Sequence, residues 1–191
     1  MILTLIRHGL TEGNLRRLYY GGADIPLAPE GEAALRRLRE TADYPRGQDY
    51  YTSGMLRTEQ TFAILYGDTA HTQVPGLREM DFGAWEMKSY EDLKDDPAFQ
   101  AWCTGDVEQH RAPGGDSFQM VYDRVGEAIA PILARGRDAV CVVHGGVIVM
   151  LLRRWFPADL ADTYARTPEP GHGYQIVFDG DGKPVSFTPI P

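Results

Sequence analysis

Cysteine is scarce in this chain: Cys103 and Cys141 are the two in 191 residues, too few for a disulfide framework. Cys141 sits in an apolar run, the usual setting of a buried free thiol. Long hydrophobic runs are missing as well, and none approaches the roughly 18 apolar residues that cross a bilayer. The first run, Met1 to Ile6, contains Thr4 and ends at Arg7. It is too short for a secretion signal and has no basic segment ahead of it. The expectation is a soluble, cytoplasmic protein with no membrane partner. Basic charge is the third shortage: 19 Lys and Arg face 27 Asp and Glu, a net of −8. That balance argues against holding nucleic acid through a bulk field, and it stands in tension with any anionic ligand. There is no internal repeat, low-complexity tract or linker-like run. With 43% hydrophobic residues the chain can build one sizeable core without a disulfide or metal staple, so residues 1–191 are expected to form a single domain.

What is present is an alternation of short apolar runs and amphipathic segments. Met1 to Ile6 suits a buried strand. Glu30 to Glu40 reads as a helix with Ala34, Leu35 and Leu38 on one face and a solvated Arg36, Arg37 and Arg39 face on the other. Asp49 to Thr52 reads as a short strand, and Leu56 to Tyr66 as a helix closed by Gly67. A loop-rich middle follows from Leu77 to about Gly115, with short helical candidates at Tyr90 to Lys94 and Ala98 to Trp102. Asp116 or Ser117 caps the next helix, whose apolar residues Phe118, Tyr122, Val125, Ile129 and Ile132 alternate steps of four and three; Pro131 is expected to kink or end it. Ala139 to Val143 is the clearest buried strand and leads into a helix through Trp155. Tyr174 to Phe178 and Val185 to Thr188 read as terminal strands around a turn at Asp179 to Gly182. Strands alternating with helices predict an α/β fold with a mainly parallel sheet.

Two of these strands end alike. One runs into Arg7-His8-Gly9 and the other into His144-Gly145-Gly146. Ligands of open α/β sheets bind beyond the carboxyl ends of the strands, so His8 and His144 are placed to face one another. The following glycines let the backbone turn sharply and approach a ligand. His71, His110 and His172 have no such company. Around His8 the segment Arg7 to Asn14 gathers a cation, an imidazole, the Thr11 hydroxyl and an amide, and Thr52 to Thr58 brings Arg57 to the start of a helix.

With Arg7-His8-Gly9, Thr11 and Asn14 in view, the sequence resembles the histidine phosphatase superfamily, in its phosphoglycerate-mutase-like branch. The likeness extends over five ordered blocks from Leu3 to about Val149. Gly21, Asp24, Pro26-Leu27 and Gly31 follow a G-x-x-D-x-P-L-x-x-x-G stretch. Ser53, Arg57 and Thr61 follow S-x-x-x-R-x-x-x-T. Leu77, Glu79 and Phe82 to Glu86 follow L-x-E-x-x-F-G-x-W-E, Pro113 to Ser117 resembles a P-G-G-E-S loop, and Val143 to Gly146 carries the second histidine.

The resemblance implies a three-layer αβα sandwich and a metal-independent phosphomonoesterase that needs no cofactor. It casts His8 as the nucleophile that becomes a phosphohistidine, His144 as a donor to the phosphoryl oxygens and Glu79 as the acid for the leaving group. The residues suit that chemistry. Phosphoryl transfer is mostly positioning and charge neutralisation, and the planar forks of Arg7 and Arg57 match phosphate. Thr11, Asn14 and backbone N–H groups near Gly21 and Gly145 are further candidate phosphate contacts. Asp81 and Glu86 are expected to help Glu79 hold a proton. Trp85 and Trp102 are expected to pack in the core or a lid.

Three departures bear on substrate: Leu10 replaces a glutamate, Met87 a glycine after Trp-Glu, and Asp116 the glutamate of the Gly-Gly-Glu-Ser loop. The implied partner is a small phosphorylated metabolite, with a homodimer left open. Two other readings remain. A phosphoglycerate mutase would carry a longer insertion ahead of the second histidine; a catalytically weak phosphate-binding regulator would not be expected to keep Arg7, His8, Arg57, Glu79 and His144 together. Other classes fail on motif. There is no G-x-S-x-G elbow, no P-loop and no cluster of His and Asp metal ligands. No arginine stands six residues after either cysteine; Gln109 and Val147 occupy those positions.

Overall fold

The computed structural model describes residues 1–105, 110–157 and 164–191; the stretch 106–109 of the expected loop-rich middle, Gln109 included, lies outside them. The strands are β1 (Ile2–Arg7), β2 (Leu18–Tyr19), β3 (Asp49–Thr52), β4 (Thr72–Gln73), β5 (Lys88–Ser89), β6 (Ala139–Val143), β7 (Gly173–Phe178) and β8 (Pro184–Ile190). The helices are α1 (Glu12–Leu15), α2 (Pro29–Thr41), α3 (Leu56–Tyr66), α4 (Tyr90–Leu93), α5 (Pro97–Thr104), α6 (Phe118–Ala134) and α7 (Gly145–Trp155).

Six strands form one sheet in the order β4-β3-β6-β1-β7-β8. Its first four pair in parallel, and the β1–β7 and β7–β8 pairings are antiparallel. Period-two alternation divides the core between the two faces. Ala139, Cys141 and Val143 of β6 pack with Leu3 and Leu5 against Val125 and Ile129 of α6 and Ile148 and Leu151 of α7. Val140 and Val142 pack with Ile6 against Leu35 of α2 and Phe62 and Leu65 of α3. Helices therefore cover both faces, giving the expected αβα sandwich. Central strands buried on both sides read as unbroken apolar runs, which is why AVCVV was legible.

Helix ends follow local chemistry. The Ser117 hydroxyl accepts the Met120 N–H at 3.2 Å and caps α6. Gly67, at φ +64°, closes α3. Of the two expected effects of Pro131, it does not itself end α6; the helix runs on three residues to Ala134. It does so without the N–H that would bond the Glu127 carbonyl one turn back. Among the described residues no helix is long and apolar enough to cross a membrane.

A second, smaller sheet pairs β2 with β5. Beside it Trp85, Leu93, Phe99 and Ala112 form a third cluster, against which Tyr19, Phe82 and Trp102 pack. Met87, where the family pattern has glycine, holds φ +60°, a conformation costing about 1–2 kcal/mol for a residue with a Cβ. Replacing the exposed Pro131 by Ala should restore one backbone hydrogen bond and raise stability by about 1–2 kcal/mol, less than the ~3 kcal/mol propensity difference because the unfolded chain also gains freedom. A lower urea midpoint for Pro131→Ala would show that α6 depends on its proline.

Candidate active site

Parallel pairing brings the carboxyl ends of β1 and β6 together, with Arg7 opposite Val143. The His8 N–H donates to the Val143 carbonyl at 2.9 Å, and the rings of His8 and His144 lie edge to face, centroids 5.2 Å apart. His8 Nδ1 is 2.7 Å from the Gly9 carbonyl oxygen. A carbonyl brings no hydrogen, so Nδ1 carries the proton and Nε2 keeps the lone pair. Burial first, then the Arg57 and Arg7 charges, push the His8 pKa well below its ordinary 6.5, against the opposing pull of the Gly9 carbonyl. His144 is lowered for the same leading reasons, burial and then Arg57. Both rings are therefore neutral at pH 7.

Arg57, in the first turn of α3, is fully buried. Its Nη1 donates to the Ala23 carbonyl and Nη2 to the Gly21 carbonyl, each at 2.9 Å. Its Nε donates to His144 Nδ1 at 3.3 Å, and the Tyr20 ring centroid lies 5.3 Å from the guanidinium carbon. Arg7 Nη1 donates to the Pro168 carbonyl at 2.8 Å, while its buried Nε has no partner among the described residues. An unmet donor of this kind calls for an acceptor.

Glu79 accepts the Met80 N–H on Oε1 and the Gly146 N–H on Oε2, both at 3.0 Å. A Cβ at 146 would lie 2.5 Å from Glu79 Oε1, so a larger residue there would displace the carboxylate. Of the two carboxylates near Glu79 in sequence, Glu86 takes N–H groups of Gly21, Gly22, Ala23 and Phe82, and Asp81 takes the Gly83 N–H.

Arg7, His8, Asn14, Arg57, Glu79 and Gly145 line one cavity of about 360 Å³. Asn14 Oδ1 is held by the Thr11 N–H and hydroxyl, leaving the amide NH₂ as the donor for a ligand. Gly145, at the first position of α7, has an N–H that no helical carbonyl takes. Three expected contacts stand apart from the cavity wall. Thr11 is buried, caps α1 and meets the Tyr20 hydroxyl at 2.6 Å. Gly21 gives its N–H to Glu86 and its carbonyl to Arg57. His144 is wholly buried, with Nδ1 against Arg57 and Nε2 at 2.8 Å from the Ser53 hydroxyl. As it stands, Nδ1 accepts and does not donate.

Besides Tyr20, Gly146 and Thr167, the rest of the cavity lining is largely apolar: Leu18, Tyr19, Met80, Phe82, Trp102, Phe118 and Met150. Trp85 is buried as expected. Trp102, expected only to pack, stacks on Phe99 and Phe118 and also faces the cavity. These residues come from five segments, so spacing carried no signal for them. Arg7 and Arg57 are the cations among the described lining residues, and 106–109 and 158–163 contain no Lys or Arg. A more open groove of about 660 Å³ between β4 and α6 holds none of the site residues.

Comparison with known proteins places this geometry. The sequence profile of the Histidine phosphatase superfamily (branch 1) matches residues 3–188. An adenosylcobalamin/alpha-ribazole phosphatase of Salmonella typhimurium is 32% identical over 177 residues, covering 90% of this chain and 87% of the relative. A 2,3-bisphosphoglycerate-dependent phosphoglycerate mutase of Methylobacterium radiotolerans is 31% identical, covering 88% and 87%. The crystal structure of the alpha-ribazole phosphatase from Shigella flexneri superposes with a TM-score of 0.86 at 27% identity, over 97% of this chain and 94% of that one.

The two depressed histidines link stability to pH. In the unfolded chain each takes up a proton below about pH 6.5, while in the fold each stays neutral to lower pH. Their contribution is therefore complete above about pH 6.5 and is lost as pH falls, by at most about 1.4 kcal/mol per unit for each ring. Urea midpoints should be level from pH 8 to 7 and drop between pH 6.5 and 5.5, with a shallower drop in His144→Gln. A level profile across that window would contradict the burial argument.

Proposed function

The chain belongs to branch 1 of the histidine phosphatase superfamily, and within it we propose that the protein is a metal-independent phosphomonoesterase working through a phosphohistidine on His8. The observation that carries this reading is the state of the His8 ring: Nδ1 is pinned to the Gly9 carbonyl, and the ring lines a cavity that also holds Arg7 and Arg57. A neutral imidazole with a free Nε2 is a competent nucleophile. It attacks phosphorus as the ester P–O bond breaks, while the two guanidiniums neutralise the equatorial oxygens. Glu79 is the proposed proton donor to the departing alkoxide. Water then cleaves the P–N bond, and free phosphate leaves.

The apolar lining supports a substrate class: a small phosphate monoester whose alcohol carries an aromatic or apolar body. A second anionic group, such as the carboxylate of a phosphoglycerate, finds no third cation among the described lining residues. That weighs for hydrolysis over a mutase, although relatives of both kinds match.

Brief exposure to a labelled phosphomonoester followed by acid quench should leave label on His8. His8→Ala should lose label and turnover together, and chelator should leave the wild-type rate unchanged. Chelator-sensitive turnover would overturn the metal-free reading. Across a metabolite panel that includes 3-phosphoglycerate with and without its bisphosphate, aromatic monoesters should give the highest kcat/KM. Trp102→Ala should raise KM for those esters about tenfold while changing kcat little, consistent with an aromatic contact of about 1–1.5 kcal/mol. Fastest phosphoryl exchange with bisphosphate would favour the mutase instead.

A further inference from the structure

The main chain that carries Glu79 is gripped from behind by an arginine outside the cavity lining. Arg124, on α6, has an acceptor for both hydrogens of each Nη. Nη1 donates to the Gly76 and Arg78 carbonyls at 3.0 and 2.8 Å. Nη2 donates to the Glu79 carbonyl at 3.2 Å and to Asp116 Oδ2 at 3.3 Å. Asp116 holds the other flank: the same Oδ2 accepts the Asp81 N–H at 3.1 Å, and the Asp116 N–H donates to the Asp81 carbonyl at 2.7 Å. The Arg124–Asp116 ion pair joins the two flanks. Gly76 lies close on α6, where a Cβ would come within 2.6 Å of Ala128 Cβ, and Leu77 is wholly buried. The Glu79 carboxyl itself has one partner from a distant segment, the Gly146 N–H; its other bond is to the N–H of Met80, the next residue.

We propose that Arg124 and Asp116 are positioning residues for the proton transfer to the leaving group, which hold both flanks of Glu79 and so set where its carboxyl stands in the cavity. This rests on the reading of Glu79 as the acid. In that step the proton passes from the Glu79 carboxyl to the alkoxide oxygen as the ester P–O bond breaks; Arg124 and Asp116 exchange nothing. Misplacing a reacting group by about 1 Å costs on the order of 10²-fold in rate, so a clamp that touches no substrate can govern one step. Four acceptors in four directions call for a planar fork, which a lysine ammonium does not supply. Arg124 also reaches His144 through its charge, after burial, Arg57 and His8 in weight. Lysine at 124 therefore separates the two roles, because it keeps the charge and loses the fork.

Two esters distinguish an effect on the acid from a general one. The phenolate of p-nitrophenyl phosphate leaves without a proton, and the alkoxide of 2-phenylethyl phosphate does not. kcat/KM reports formation of the phosphoenzyme, ahead of its hydrolysis. Arg124→Met should lower kcat/KM about 100-fold for the alkyl ester and about threefold for the aryl ester. Arg124→Lys should resemble Arg124→Met. Asp116→Ala, which keeps the backbone bond to Asp81, should show the same selectivity at about tenfold. Far-UV circular dichroism and urea midpoints establish which variants are folded; if Arg124→Met is not, Arg124→Lys and Asp116→Ala decide. Glu79→Gln is run beside them. Equal losses for both esters in the folded clamp variants, with a selective loss in Glu79→Gln, would sink the clamp and leave the acid standing. A wild-type ester ratio in Arg124→Lys would do the same, by showing that a point charge suffices. Equal losses in Glu79→Gln bring down the acid and the clamp together.

Discussion

The buried guanidinium of Arg57 is the constraint on which the rest of this structure depends. Taking such a charge out of water costs several kcal/mol unless its donors are met. Here they are met by the carbonyls of Gly21 and Ala23, by His144 Nδ1 and by the face of Tyr20. Each acceptor must in turn be fixed. The 21–23 loop is fixed by Glu86, whose carboxylate collects its three N–H groups. Gly21 has to be glycine, because a Cβ there would sit 1.8 Å from the Met80 carbonyl oxygen. The helix carrying Arg57 is tied down by Asp24 on the Leu56 N–H, by Gln60 on the Leu27 N–H and by Thr61 on the Gly9 N–H. Two segments distant in sequence, residues 20–23 and His144, thus converge on one side chain.

One cation placed this way has two consequences. Burial of the two rings and, after it, this charge hold His8 and His144 neutral, which is the protonation state a nucleophile needs. The same charge, with that of Arg7, leaves the cavity favourable to an anion. The net charge of −8 does not conflict with this. Exposed acids act through high dielectric and salt, whereas Arg57 acts across a few ångströms of protein. The tension raised by composition dissolves once the charges are located.

Much of this was readable in one dimension because the responsible residues are contiguous. A strand buried on both faces must be a run such as AVCVV, and a histidine directly after it lands at the strand's carboxyl end whatever the tertiary details. α3, from Leu56 to the glycine that closes it, was legible for the same reason. What escaped depends on direction or on distant partners. Two-residue strands such as β4 and β2 carry no periodicity. Thr11 reads as a phosphate contact by its neighbours in sequence, yet its backbone conformation makes it the cap of α1.

The cavity is built from two foundations of unequal stiffness, and that division bears on how specificity arises. His8, Arg57 and Gly145 stand on the large sheet and the helices that follow its strands, where disturbing Arg57 breaks several buried bonds. The apolar lining draws largely on the two-stranded sheet and the aromatic cluster beside it, joined to the rest through ring contacts such as Trp102 on Phe118. Aromatic contacts tolerate exchange of similar volume at modest cost, whereas losing a partner of a buried charge costs about 3–5 kcal/mol. Met87, held at positive φ on the loop that leads into β5, shows that this region also tolerates backbone strain. Substitution can therefore reshape the surface that meets the alcohol while the phosphate-binding half stays intact. Relatives named as phosphatases and as mutases sharing one fold is the pattern such a division predicts.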